Sequence, residues 1–86
     1  MKSRPVDFVK NDESICIGYN VRRLRLAKGI GQSELVAKVQ LKGVNITRQT
    51  LVKIESSTQH IKASQLKAIK EILECSYDDL LKEKEE

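Results

Sequence analysis

Apolar positions along this chain recur at helical spacing, in short runs broken by Gly, Asn and Ser. Between Ser14 and Lys28, Ile17, Val21 and Leu24 fall one turn apart, and Ala27 or Lys28 closes the period. Ser14 is the expected cap and Gly29 the expected residue just past the helix end. Gly18 inside this helix costs about 1 kcal/mol unless packing explains it. A second helix runs from Gln32 or Ser33 to Gln40, with Leu35, Val36 and Val39 inward. Glu34 stands in its first turn, where the helix dipole favours an anion. Residues 41–46 contain the turn formers Gly43 and Asn45. Leu41, Val44 and Ile46 are too apolar for a free linker, so this connection should pack down. Thr47 caps a third helix ending at Glu55, with Leu51 and Ile54 inward. Residues 56–63 read as a polar connection. Leu66, Ile69, Ile72 and Leu73 mark a fourth helix over 65–74, with Ser64 as its cap candidate. Ser76, with Asp78 and Asp79 behind it, opens a short fifth helix over 77–82. Residues 1–13 read as flexible or loosely docked, since Pro5 blocks helix before it, and 83–86 as a solvated end. Five helices and no strand pattern predict a compact all-α domain over 14–82.

Length and composition narrow the classes. The 86 residues suffice for one domain and not two. No apolar run approaches the roughly 20 residues that cross a bilayer. The basic residues at the start have no apolar run behind them, so no signal peptide is read and the cytoplasm is expected. Cys16 and Cys75 lack a CxxC or His neighbour and read as free thiols of a reducing compartment. The net charge of +4 is uneven. Residues 1–62 hold 12 Lys or Arg against 5 Asp or Glu, whereas 63–86 hold 4 against 7. A basic front with an acidic tail suits one face turned to a polyanion. A membrane surface is disfavoured, because no segment joins a wholly basic face to large aromatics. With no Trp and one Phe, stacking on single-stranded nucleic acid is disfavoured too. His60 has no ligand cluster beside it, so no metal is expected. No nucleophile, phosphate loop or carboxylate pair stands at meaningful spacing, so neither an enzyme nor a cofactor is expected.

The stretch TRQTLVKIE, residues 47–55, carries the most chemistry. Opposite its inward residues lie Arg48, Gln49, Val52 and Lys53. Arg and Gln can pair bidentately with base edges, Lys reaches a base acceptor or a phosphate, and Val can meet a thymine methyl. A short amphipathic helix precedes it, which suggests a helix-turn-helix reading double-stranded DNA. An amphipathic core helix with a solvated face is the plainer alternative.

Three segments, IGYNVRRLRLAKGIGQSELVAKV, TRQTLVKIES and LKAIKEILECSYDDLL, resemble in order the Cro and phage-repressor type of helix-turn-helix domain. Arg25, Gly29 and Gln32, joined to the later Lys-Ile-Glu, carry the resemblance most specifically. It implies a five-helix, lambda-repressor-like fold and a small bacterial or phage transcriptional regulator. It places Arg48, Gln49 and Lys53 at base-reading positions. It makes Thr47 and Thr50 capping and backbone-contacting residues, and Gln32 a residue that touches a phosphate or braces a base-reading side chain. It pairs Arg25 with Glu55 in a largely buried ion pair between helices one and three. Ser33 at the start of helix two and Arg22 on helix one join the backbone-contact candidates, Arg22 being equally readable as part of a solvated face.

Three departures stand out. The interval from Gln32 to Thr47 is longer than the family's, which either prolongs helix two or loops around Gly43 and gives Lys42 a chance of a backbone contact. Val36 stands where the family favours Ala at the helix crossing. Ser57 replaces the Gly that follows helix three and must bear, or avoid, a left-handed conformation. A homodimer on a palindromic site is expected, with Tyr77, Leu80 and Leu81 either its surface or local core. The rival function is a protein-interaction module, antirepressor-like or antitoxin-like, that keeps the fold.

Overall fold

The computed structural model describes Phe8–Val9 and residues 15–83. The expectations for residues 1–7, 10–14 and 84–86, including the Ser14 cap, lie outside the described residues. Five helices make up most of the rest: α1 (Ile17–Lys28), α2 (Gln32–Leu41), α3 (Arg48–Glu55), α4 (Ala63–Leu73) and α5 (Tyr77–Leu80). The domain is all-α with one minor addition. Phe8–Val9 (β1) pairs antiparallel with Ile61–Lys62 (β2), in the register Phe8 to Lys62 and Val9 to Ile61. An isolated bridge joins Ile15 to Glu83.

This corrects the expectation of no strand and of a polar connection over 56–63. A two-residue strand is too short to show an alternating period. Ile61 is 2% exposed and belongs to the core. The start of α4 also moves. Its cap position is Lys62, not Ser64, and the Gln65 side chain accepts from the Lys62 N–H at 2.9 Å. The fifth helix closes at Leu80, two residues short of the expected end.

One core joins the helices. Ile17 and Val21 of α1, Leu35 and Val39 of α2, Leu51 and Ile54 of α3, Ile69 of α4 and Leu80 of α5 are all but fully buried. The turn residues Ile30 and Ile46 join them. Leu41 does the opposite of what its apolar character predicts. It ends α2 and is 87% exposed, while Val44 and Ile46 do pack down. Of the two routes open to it, the longer α2–α3 connection takes the loop: α2 gains one residue, not a further turn, and the chain then turns at Gly43, whose φ is +82°.

The ends of α1, α2 and α3 share one geometry. After α1, the Gly29 N–H reaches the Leu26 carbonyl and the Ile30 N–H the Arg25 carbonyl. The same paired bonds recur after α2 at Gly43 and Val44, and after α3 at Ser57 and Thr58. This motif needs a left-handed residue at its first position. Glycine supplies it at 29 and 43, but Ser57 adopts it at φ +64° and Glu74, after α4, at +57°. The Ser57 departure thus resolves as a borne strain rather than an avoided one.

Candidate nucleic-acid interface

α3 is fixed from both ends and from behind. Its start is capped by Thr47, whose hydroxyl oxygen accepts from the Thr50 N–H at 3.1 Å. The approach to that cap is pinned twice. Gln40 Nε2 donates to the Ile46 carbonyl at 2.7 Å, and Gln65 Nε2 to the Asn45 carbonyl at 3.1 Å. Leu51 and Ile54 anchor the inner side in the core.

The far end is held by charge. Arg25 grips Glu55 with two parallel bonds, Nε to Oε2 at 2.7 Å and Nη2 to Oε1 at 2.9 Å. Its remaining Nη1 donates to the Ile30 carbonyl at 2.8 Å. Gln32 Nε2 donates to Glu55 Oε1 at 3.1 Å. One carboxylate therefore ties the last turn of α1 and the first residue of α2 to the last residue of α3. Arg25 is 6% exposed and Glu55 7%. Two-point contact with further hydrogen bonds is the geometry in which a buried pair is best compensated. The Arg25–Glu55 pairing appears as the resemblance implied. The Gln32 amide faces this pair, so within the chain it braces the helix junction rather than a base-reading side chain.

Backbone contact reinforces the same corner. Gly18 packs on the end of α3 so closely that a Cβ there would lie 1.8 Å from the Ile54 carbonyl oxygen. Packing thus explains the glycine inside α1. Cys16 Sγ meets Ser57 Oγ at 2.7 Å beside it.

The outer side of α3 is left open. Helical geometry sets Gln49 and Lys53 one turn apart, opposite the buried Leu51, Ile54 and Glu55. Val52 flanks them, and Arg48 projects from the first turn. All four are exposed, and Arg48, Gln49 and Lys53 have no side-chain hydrogen bond or ion pair with the described residues. Ser33 is likewise exposed in the first turn of α2. Thr50 is half-buried and its hydroxyl accepts from Thr47 Oγ1 at 3.0 Å. Arg22 falls on the α1 stripe between Gly18 and Arg25, which faces α3, and is exposed.

Other candidates sit elsewhere. Lys42 Nζ lies 3.1 Å from Glu71 Oε1, so its charge is engaged across α2 and α4. The Lys42 hydrogen bond and charge hold the Glu71 carboxyl below its ordinary range. Lys28 does the same to Glu74 at 2.7 Å. Leu80 is fully buried within this one chain, so of its two readings, dimer surface or local core, it takes the core one. Its neighbours Tyr77 and Leu81 stay exposed, with Lys70 Nζ 5.1 Å above the Tyr77 ring. Asp79 accepts from the Ser76 N–H at 3.1 Å, and the bonds from Ser76 lower its pKa. Both cysteines are free, and burial pushes the Cys75 thiol up.

Two structural side chains escaped the sequence reading. Asn20 is buried and donates to the carbonyls of Leu80 at 2.7 Å and Lys82 at 3.0 Å, tying α1 to the end of α5. Gln65 is buried beneath the α3 approach. The available signal was a polar residue on an apolar stripe. Asn20 stands three past Ile17, and Gln65 four before Ile69.

Among the described residues no His, Cys, Asp and Glu cluster could hold a metal, and no helix is long and apolar enough to cross a membrane. Compared with family models, curated proteins and solved structures, the chain matches none.

Proposed function

We propose that this chain binds double-stranded DNA sequence-specifically as a small helix-turn-helix regulator of the Cro and phage-repressor kind, with α3 in the major groove. One observation carries the reading. Arg48, Gln49 and Lys53 are exposed and unpartnered with the described residues, on a helix immobilised by the core, a cap and the Arg25–Glu55–Gln32 junction. A helix fixed in place with free donors on its outer side suits base readout, because the cost of ordering its backbone is met in advance. A helix serving only as core has no need for such an outer face.

Arg48 and Gln49 then read base edges, Lys53 a base acceptor or phosphate, and Val52 a thymine methyl. Ser33, Thr47, Thr50 and Arg22 lie around this helix as backbone contacts. Lys42 drops to a secondary role, because Glu71 already holds it. The protein does no chemistry on its target. It acts by occupying a site.

Selection from a random duplex library at about 0.15 M salt tests this. Recovery of a defined motif supports it. Recovery of no motif, with weak binding to all duplexes, removes it and leaves a protein-interaction module.

A further inference from the structure

We infer that Asn45, on the connection between α2 and α3, donates its side-chain amide to a phosphate of the DNA backbone, at the wall of the groove that α3 enters. The contact rests on the reading of α3 as a base-reading helix. The resemblance does not imply it, because Asn45 lies in the interval where this chain is longer than the family.

The connection has two sides. Val44 is half-buried, Asn45 exposed, Ile46 buried and Thr47 exposed. No helix or turn interrupts the chain from Val44 to Thr47, and Thr47 is extended at φ −115° and ψ 164°. Successive side chains of an extended chain point to opposite sides. Asn45 therefore stands on the outer side with Thr47, the cap of α3, while Val44 and Ile46 pack on the core.

The backbone here is held from within. The buried Gln65 donates to the Asn45 carbonyl at 3.1 Å, and Gln40 donates to the Ile46 carbonyl at 2.7 Å. Asn45 thus projects from a fixed backbone, and its side-chain amide has no hydrogen bond with the described residues. No other side chain of 42–46 is placed to do the same. Lys42 is engaged by Glu71, Gly43 has no side chain, and Val44 and Ile46 are apolar.

Reach decides the ligand. Three residues separate Asn45 from Arg48, a span of at most about 11 Å. The major groove is about 8.5 Å deep and about 12 Å wide. With Arg48 and Gln49 at the base edges, Asn45 stands about one groove depth back along the chain. The bond from Gln65 draws this segment toward α4, away from the outer side of α3. A side chain as short as Asn then meets the sugar–phosphate wall, where its NH2 group suits a phosphate oxygen.

Affinities of the wild type, Asn45→Ala and Asn45→Asp for a selected duplex and an unrelated one, at one salt concentration, test the contact. Asn45→Ala should weaken binding to both duplexes by a similar factor, about two- to tenfold. Asn45→Asp keeps the size but loses the donors and sets a negative charge against the phosphate, so it should weaken both further. Urea midpoints should stay almost unchanged, which a structural role for Asn45 would not allow. Ethylation of the contacted phosphate should hinder the wild type and add nothing to the loss in Asn45→Ala. Binding by Asn45→Asp equal to that of the wild type overturns the inference. So does a loss confined to the selected duplex, which marks a base contact, or a loss matched by a lower urea midpoint. A wild type that selects no duplex overturns instead the reading of α3 on which the contact rests.

Discussion

Replacing Gly18 by Ala probes the closest contact between α1 and α3. The added Cβ would stand 1.8 Å from the Ile54 oxygen, 2.8 Å from its carbonyl carbon and 3.3 Å from Glu55 Cα. All three are backbone atoms, so no rotamer change relieves the clash. A carbon–oxygen contact needs about 3.3 Å, so the helices must part by roughly 1.5 Å. Parting them loads the bonds that cross that corner: the Cys16–Ser57 contact and the two-point grip of Arg25 on Glu55. Overpacking of this kind costs about 1–3 kcal/mol before the ion pair is disturbed. Against it, Ala gains at most about 1 kcal/mol over Gly in a helix. The net expectation is a loss of about 1–2 kcal/mol, which lowers the melting temperature by roughly 4–16 °C in a domain of this size. Urea unfolding followed by far-ultraviolet circular dichroism measures it. Gly31→Ala is the control, since a Cβ there meets nothing within 4 Å, and it should cost less than about 1 kcal/mol. A Gly18→Ala protein as stable as the wild type would refute the close crossing.

Glu55→Ala strands the Arg25 charge and should cost about 3–5 kcal/mol in the same assay, whereas joint Arg25→Met and Glu55→Leu replacement should recover most of it. In a Cys16→Ala background, where the Cys16–Ser57 contact is absent from both proteins, Ser57→Gly relieves a left-handed serine and should raise stability by about 0.5 kcal/mol, the gain being trimmed by glycine's entropy in the unfolded chain; an unchanged or lower urea midpoint would count against strain at this position. The carboxyls of Glu71, Glu74 and Asp79 have folded pKa values below their unfolded ones. Their contribution is therefore present above the ordinary carboxylate range and lost as pH falls through the lowered values. Urea midpoints measured from pH 7 down to 2 should show this acid loss, and Glu71→Gln with Glu74→Gln should flatten it.

Local signals carried most of the fold. Thr47 and Ser76 act as caps, Gly29 and Gly43 take the left-handed turns, and the apolar stripes of α1 to α4 face the core. These are properties of a residue and its near neighbours, so a sequence displays them. The misses share a different cause. Ile61 is buried because β2 lies against the core, which no local pattern shows, and Leu41 is exposed because α2 extends to include it and sets it on the polar side with Glu34 and Lys38. Asn20 and Gln65 are buried because distant carbonyls at Leu80, Lys82 and Asn45 need donors. Of the candidate interface, the outer residues of α3 and the Arg25–Glu55 pair were legible. The engagement of Lys42 by Glu71 was not, since it depends on how α4 crosses α2.

The most direct measurement compares Gln49→Ala with the wild type on a selected duplex and on an unrelated one, at the same salt concentration. Base readout by α3 predicts a loss of about 1–3 kcal/mol on the selected duplex and almost none on the other. Equal losses on both, or none on either, would contradict a base-reading role for this helix.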